Sequence, residues 1–233
     1  MKASFNSTAT ATATAIVALA LAALLPQAAH ADDEGRFYAL AGFGTARTDL
    51  GAAEDYYRAQ ADNYLAAGAL KSEPVIDDSS STFAAGFGYW LHPALALEGY
   101  YRDFGRAEAG VSATFTGSAS SDVTDYRASG FGVGLLGLVA VGEWFSLYGR
   151  ADLVNVVTRY ESFGSASFPG GSGYAAGDDT ALQAGFGLGG QYDFRHGISL
   201  RVDWQRMEAP FGQRGLDGEM TIDSLNVFLL KSL

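Results

Sequence analysis

The chain contains no cysteine. Disulfides therefore play no part in holding it together, and a metal centre built on thiolates is excluded. Proline is scarce, with 5 residues in 233, and histidine scarcer, with 3. Basic side chains are also few, 15 against 26 acidic ones. Without a basic patch there is no electrostatic footprint for DNA or RNA. Beyond the first thirty-one residues no stretch of 18 uninterrupted apolar residues occurs, so no later segment reads as a membrane-spanning helix. Glycine is abundant instead, at 30 residues, and aromatics make up 13% of the chain.

The first residues, MKASFNSTATATATAIVALALAALLPQAAHA, have the layout of an export signal. Lys2 supplies the positive start, residues 15–25 an apolar run too short to span a bilayer, and Ala29-His30-Ala31 an A-x-A cleavage site. Residues 1–31 are accordingly expected to be a removed leader, and residues 32–233 one domain. Without Lys2 the mature chain has 14 basic and 26 acidic residues, a net charge of −12.

After the leader the dominant signal is alternation. In Leu182-Gln183-Ala184-Gly185-Phe186-Gly187-Leu188-Gly189-Gly190-Gln191-Tyr192 the even positions are mostly large and apolar, the odd ones glycine or glutamine. A period of two sends these sets to opposite faces of a strand. A greasy face backed by a small, polar one suits a strand with lipid on one side and a polar lumen on the other. Similar segments fall near residues 36–48, 82–91, 94–105, 126–140, 144–161, 198–207 and 219–231, which makes eight strands. Very short connections at His92-Pro93, Gly142-Glu143 and Arg195-His196 alternate with long ones at 49–81, 106–125, 162–179 and 208–218. The expected fold is all-β: an eight-stranded antiparallel up-and-down transmembrane β-barrel with short periplasmic turns and long extracellular loops. Within 49–81, the segment from Asp55 to Gly68 reads as a short helix. Tyr89, Phe145 and Tyr192 are placed at one membrane interface, and Trp204 nearer the other.

Residues 82–105 (TFAAGFGYWLHPALALEGYYRDFG), 148–152 (YGRAD) and 200–206 (LRVDWQR) resemble the transmembrane domain of the outer membrane protein A family. The resemblance covers the mature chain in element order and implies a Gram-negative outer-membrane location, without the peptidoglycan-binding domain of many relatives. It implies a lumen with an acid on strand three paired to an arginine on strand seven, which here fall on Glu98 and Arg201. It also implies a lysine on strand four, yet no basic residue lies between Arg127 and Arg150, and an acid on strand six, where Gln191 stands. The family's assembly signal favours a terminal aromatic residue; this chain ends in Leu233, and Lys231 interrupts the apolar set behind it.

The inward sets hold three acids, Glu98, Asp152 and Asp203, and three arginines, Arg102, Arg150 and Arg201. Charges in a narrow lumen must be paired or solvated, and these six are expected to form one ion-pair network. Two readings stand: a structural plug, or a gated path for ions or small solutes. Gly42, Gly44, Gly86, Gly88, Gly132, Gly134, Gly185, Gly187 and Gly189 also point inward. They leave room for water, or they relieve crowding in a curved wall.

No catalytic residue is assigned. An outer-membrane enzyme needs a nucleophile or base near the outer leaflet, whereas His92 and His196 fall in the predicted periplasmic turns. Asp77-Asp78 and Asp178-Asp179 carry oxygen ligands suited to Ca²⁺, but a solvated acidic loop accounts for them. No metal and no cofactor is expected. The function expected is an integral outer-membrane barrel with a structural or surface-interaction role, with a small pore as the alternative. Expected partners are outer-membrane lipids, the barrel-assembly machinery during insertion and an extracellular ligand of the loops, with no nucleic acid, and the chain is expected to be a monomer.

Overall fold

A computed structural model describes residues 35–167, 171–213 and 216–233. The expected leader, residues 1–31, lies outside them. The elements are β1 (Phe37–Asp49), α1 (Ala52–Ala66), β2 (Lys71–Asp77), β3 (Ser79–His92), β4 (Leu95–Phe115), β5 (Ser118–Ala140), β6 (Phe145–Ala166), β7 (Ser172–Asp193), β8 (Ile198–Gln213) and β9 (Leu216–Ser232). Eight strands close into a ring in which β1 pairs with both β3 and β9 and every other neighbour is sequential and antiparallel. The seam is held by a long register, from Tyr38↔Ser232 to Asp49↔Thr221. Closure leaves no strand edge within the membrane, which a β structure in hydrocarbon requires.

Alternation places the side chains as the sequence indicates. Phe43, Phe87, Phe131, Leu188 and Leu229 point outward and are more than half exposed, whereas Tyr38, Glu98, Arg150 and Arg201 point inward and are buried. Apolar side chains exposed in a closed barrel face lipid, so exposure here marks the bilayer belt. At the rim with the short turns, Phe37 stacks near Tyr89 at 4.8 Å and Tyr192 near Phe194 at 4.9 Å. Toward the other rim Trp204 meets Phe186 at 5.8 Å. Beyond the belt on that side, the first outward charges on successive strands are Arg47, Asp103, Arg127, Arg159, Asp178, Arg206 and Asp223.

The long excursions are more regular than the sequence suggests. Residues 106–125 form the distal halves of β4 and β5, joined by a tight turn with Gly117 at φ +82°. Most of 162–179 belongs to β6 and β7, and the described part of 208–218 to β8 and β9. Segments with this much glycine, alanine and aspartate carry weak strand propensity alone; here a continuous ladder of antiparallel partners keeps them extended. The segment 49–81 supplies two further elements. One is β2, a ninth strand outside the ring, which pairs with the distal part of β4 from Lys71↔Thr114 to Asp77↔Glu108. The other is α1, followed by Gly68 at φ +93°. Its Ala53, Tyr57 and Ala61, four residues apart on one face, are buried. They pack with Leu50, Phe104, Tyr126, Phe211, Met220 and Ile222 in an apolar core at the distal end of the lumen. The Tyr57 hydroxyl lies 2.8 Å from Thr124 Oγ1. The helix is therefore seated in the barrel's mouth.

Candidate functional site

The interior is layered. Reading inward positions along β4 gives Ala96, Glu98, Tyr100, Arg102 and Phe104; along β6 it gives Tyr148, Arg150, Asp152 and Val154. Charge occupies the middle and apolar side chains lie on either side. Toward the short turns, Tyr38, Leu40, Trp90, Leu136, Leu138 and Phe228 form one apolar cluster. Toward the distal mouth lies the larger one capped by α1.

All six charged residues singled out in the sequence, Glu98, Arg102, Arg150, Asp152, Arg201 and Asp203, are at least 95% buried in this middle layer. Arg201 Nη1 donates to Glu98 Oε1 at 2.5 Å, the strand-three and strand-seven partners of the resemblance. Arg150 grips Asp152 with two bonds, Nη2 to Oδ1 at 2.6 Å and Nε to Oδ2 at 2.9 Å. Its Nη1 reaches Asp203 Oδ2 at 3.2 Å and stands 3.6 Å from Glu98 Oε2. Arg150 thus bridges all three carboxylates, a use of the guanidinium fork that lysine cannot match.

Arg102 is placed differently. Its closest carboxylate contact is Asp203 Oδ2 at 4.0 Å, and its Nε and Nη1 are buried without a hydrogen bond. It is held between the rings of Tyr100 (5.4 Å), Phe228 (5.6 Å) and Phe104 (5.8 Å), a cation–π arrangement.

Neutral groups that the charge count overlooked complete the network. The Tyr38 hydroxyl donates to Glu98 Oε1 at 2.7 Å and the Tyr100 hydroxyl to Asp152 Oδ1 at 2.8 Å. Gln205 Nε2 donates to Asp152 Oδ2 at 2.7 Å, and Asn226 Nδ2 to Asp203 Oδ1 at 3.3 Å. Gln191 stands where the resemblance implies an acid. Its amide oxygen accepts from Arg201 Nε and Nη2, at 3.1 and 2.9 Å. It thus orients the same arginine without adding charge, and the layer stays balanced at three acids and three arginines. The signal for these partners was in the sequence: each lies at an inward position of the same alternation.

Some of the inward glycines, Gly88, Gly132 and Gly187 among them, are seats for these side chains. A Cβ on Gly88 would lie 2.0 Å from Tyr38 Cζ, and one on Gly187 3.0 Å from Arg150 Cγ. Side chains thus fill the space that the glycines leave.

An outer membrane protein β-barrel domain model matches residues 15–228. The chain belongs to this family. It is an integral barrel of the Gram-negative outer membrane. A comparison with curated proteins found no match. Among solved structures it is similar to Ail, the attachment invasion locus protein of Yersinia pestis, at 11% identity and TM-score 0.43, covering 86% of this chain and 99% of that one. It is similar to OprG from Pseudomonas aeruginosa at 12% identity and TM-score 0.41, covering 86% and 95%. It is also similar to the outer membrane protease OmpT from Escherichia coli at 9% identity and TM-score 0.39, covering 85% and 97%. In this outer-membrane barrel, His92 ends β3 where a short turn begins, and His196 lies in a short turn. His92 Nδ1 accepts from the Ala94 amide at 3.2 Å, and the His196 carbonyl accepts from Lys231 Nζ at 2.6 Å.

Proposed function

We propose that this barrel is a non-conducting, non-enzymatic component of the outer membrane that presents its distal β4–β7 wall and α1 at the cell surface. One observation carries the reading: the charged layer lies between two buried apolar clusters, and α1 sits in the mouth above the larger. An ion crossing the lumen would have to shed its hydration in both apolar layers, at a cost of many kcal/mol. The six charges form one buried layer, five of them joined by ion pairs and Arg102 held among rings, and they present no open file of sites. They act as a lock across the lumen, with Arg150 as its hub.

Two supports favour a surface role over catalysis. Both histidines of the described residues lie in or next to the short turns, at the opposite rim from the extended wall. That wall is built as continuous ladder, so it holds a fixed shape beyond the bilayer. Residues 1–31 are the export leader in this reading, and a monomer is the working unit.

The test is planar-bilayer conductance of the reconstituted protein. Under voltages of either sign the trace is expected to stay flat. Discrete current steps from the unmodified protein, changed in size or frequency by Arg201→Ala, would replace the plug with the gated path.

A further inference from the structure

The register stacks three arginines as direct cross-strand neighbours on the outer wall: Arg106↔Arg127 between β4 and β5, and Arg127↔Arg159 between β5 and β6. Like charges placed opposite one another are unfavourable unless something neutralises them. The protein itself does so only weakly. Arg106 stands 3.5 Å from Asp125 and 3.7 Å from Glu108, and Arg127 is 3.8 Å from Asp125, all longer than hydrogen bonds. Arg159 has no ion pair among the described residues. The other outward arginines at this level are tightly held. Arg47 Nε lies 2.6 Å from Asp78, and Arg206 grips Asp223 with two bonds of 2.8 and 2.6 Å. The three-arginine row is thus the part of this rim whose guanidinium groups are left open.

The row also lines a groove. A depression of about 390 Å³ is bounded by Arg106, Arg127 and Arg159 with Ser80, Ser81 and Ser129. It forms where the β4–β5 register shifts at a bulge between Asp103 and Gly105, beside the break between β2 and β3. Gly105, at φ +85°, lies so close to Ser80 that a Cβ would come within 2.2 Å of its Oγ. Asp103 also lines the groove, but its Oδ1 is engaged by the Gly105 amide at 2.8 Å.

The wall below continues directly into the lipid belt. Tyr101 and Phe131 are cross-strand partners with ring centroids 5.1 Å apart. Beneath them Gly99 pairs with the exposed Val133, and no atom lies within 4 Å of where the Gly99 Cβ would be. That leaves an apolar furrow leading up to the arginine groove.

We propose that this face binds a phosphorylated lipid of the outer leaflet. Its phosphate is held by Arg106, Arg127 and Arg159, and its acyl chain lies along Tyr101, Phe131 and the furrow at Gly99. Charge selects the headgroup, because arginine forks match phosphate oxygens bidentately. The unbroken passage from arginine row to greasy wall selects an amphiphile over a soluble anion.

The test is native mass spectrometry of the protein released from detergent micelles containing bisphosphorylated lipid A, counting bound lipid. The unmodified protein is expected to retain lipid A. The triple variant Arg106→Gln/Arg127→Gln/Arg159→Gln is expected to lose affinity about a thousandfold, on the order of tenfold for each charge-assisted contact removed. Arg159→Gln alone, which breaks no ion pair among the described residues, is expected to lose about tenfold and serves if the triple variant does not fold. The Arg47→Gln/Arg206→Gln variant is expected to bind normally. Retention by both row variants would overturn the proposal, as would an equal loss in the Arg47/Arg206 control. Equal retention of fully dephosphorylated lipid A would remove the phosphate. Complete displacement by inorganic phosphate at the lipid's own concentration would remove the amphiphile.

Discussion

Replacing Arg201 with methionine removes the strongest partner of Glu98 while keeping the bulk of the side-chain stem. Glu98 is 99% buried and would keep the Tyr38 hydroxyl at 2.7 Å and Arg150 at 3.6 Å. Breaking one side of a buried pair costs about 3–5 kcal/mol because the remaining charge has no counterpart. The two surviving contacts place this case near the lower end, about 3 kcal/mol, or roughly two orders of magnitude in the folding equilibrium constant. Glu98→Gln should cost less, since the amide still accepts from Tyr38, although it leaves Arg201 resting on Gln191. The double variant removes both charges and should recover about 1.5 kcal/mol or more of the summed single costs. Urea titration in lipid vesicles, read as the fraction of unheated protein at the folded gel mobility, measures all four corners of the cycle. Additivity to within about 0.5 kcal/mol would show that the two side chains do not act as a pair and would refute the coupled layer.

The inner wall gives a sharper contrast. Gly88→Ala drives a methyl into the Tyr38 ring, 2.0 Å from Cζ, and should cost about 1–3 kcal/mol, whereas Gly99→Ala, with nothing within 4 Å, should stay within about 0.5 kcal/mol in the same titration. Equal costs would mean that the glycines are not seats. Tyr57→Ala should unseat α1, so that trypsin cuts at Arg58 while the barrel keeps its heat-modifiable mobility; resistance to trypsin would place the helix's anchorage elsewhere. On the distal wall, partial burial and then the neighbouring Glu219 carboxylate raise the pKa of Glu208 above the ordinary glutamate value. The folded state therefore binds this proton more tightly than the unfolded one, and stability falls as pH rises from the unfolded value through the raised one. Glu208→Gln should accordingly stabilise the barrel at neutral pH and have no such effect well below pH 4.5; the same gain at both pH values would exclude the ionisation as its cause.

Side-chain sidedness within the membrane belt was legible in the sequence because it depends on a period of two that any strand imposes. Leu97, Leu147, Leu153, Leu200 and Val202 face out, and Glu98, Arg150, Asp152, Arg201 and Asp203 face in, as alternation requires. What could not be read was how far the strands run. Residues such as Ser118–Asp122 lack apolar periodicity, and it is their partners, Ser112 and Ser165 among them, that keep them extended. The ninth strand is hidden for a related reason: Lys71–Asp77 contains Pro74 and three charges, and it pairs on one side only, where proline is tolerated. Within the lumen, charge composition picked out the ionic set but not its geometry. Nothing in the spacing says that Arg150 serves three carboxylates while Arg102 rests among rings, because that depends on where Tyr100, Phe104 and Phe228 fall around a closed wall.

The buried layer contributes more to choosing the structure than to strengthening it. Paired charges in an interior often match a well-packed apolar core without exceeding it, so net stability is a weak reason for three arginines. Register is a stronger one. A one-residue slip in any strand exchanges its faces. In β4, β6 or β8 it would turn two charged side chains into the hydrocarbon and draw leucine, isoleucine or valine into the lumen. An arginine at the bilayer midplane costs about 2–4 kcal/mol, with less for an acid, and the partners left behind lose their counter-charges as well. Each of these three strands carries one such pair of inward charges: Glu98 and Arg102, Arg150 and Asp152, Arg201 and Asp203. A slip in any one of them therefore leaves the network unbalanced. Arg150 links the three strands, so the native register is the arrangement that satisfies all of them at once.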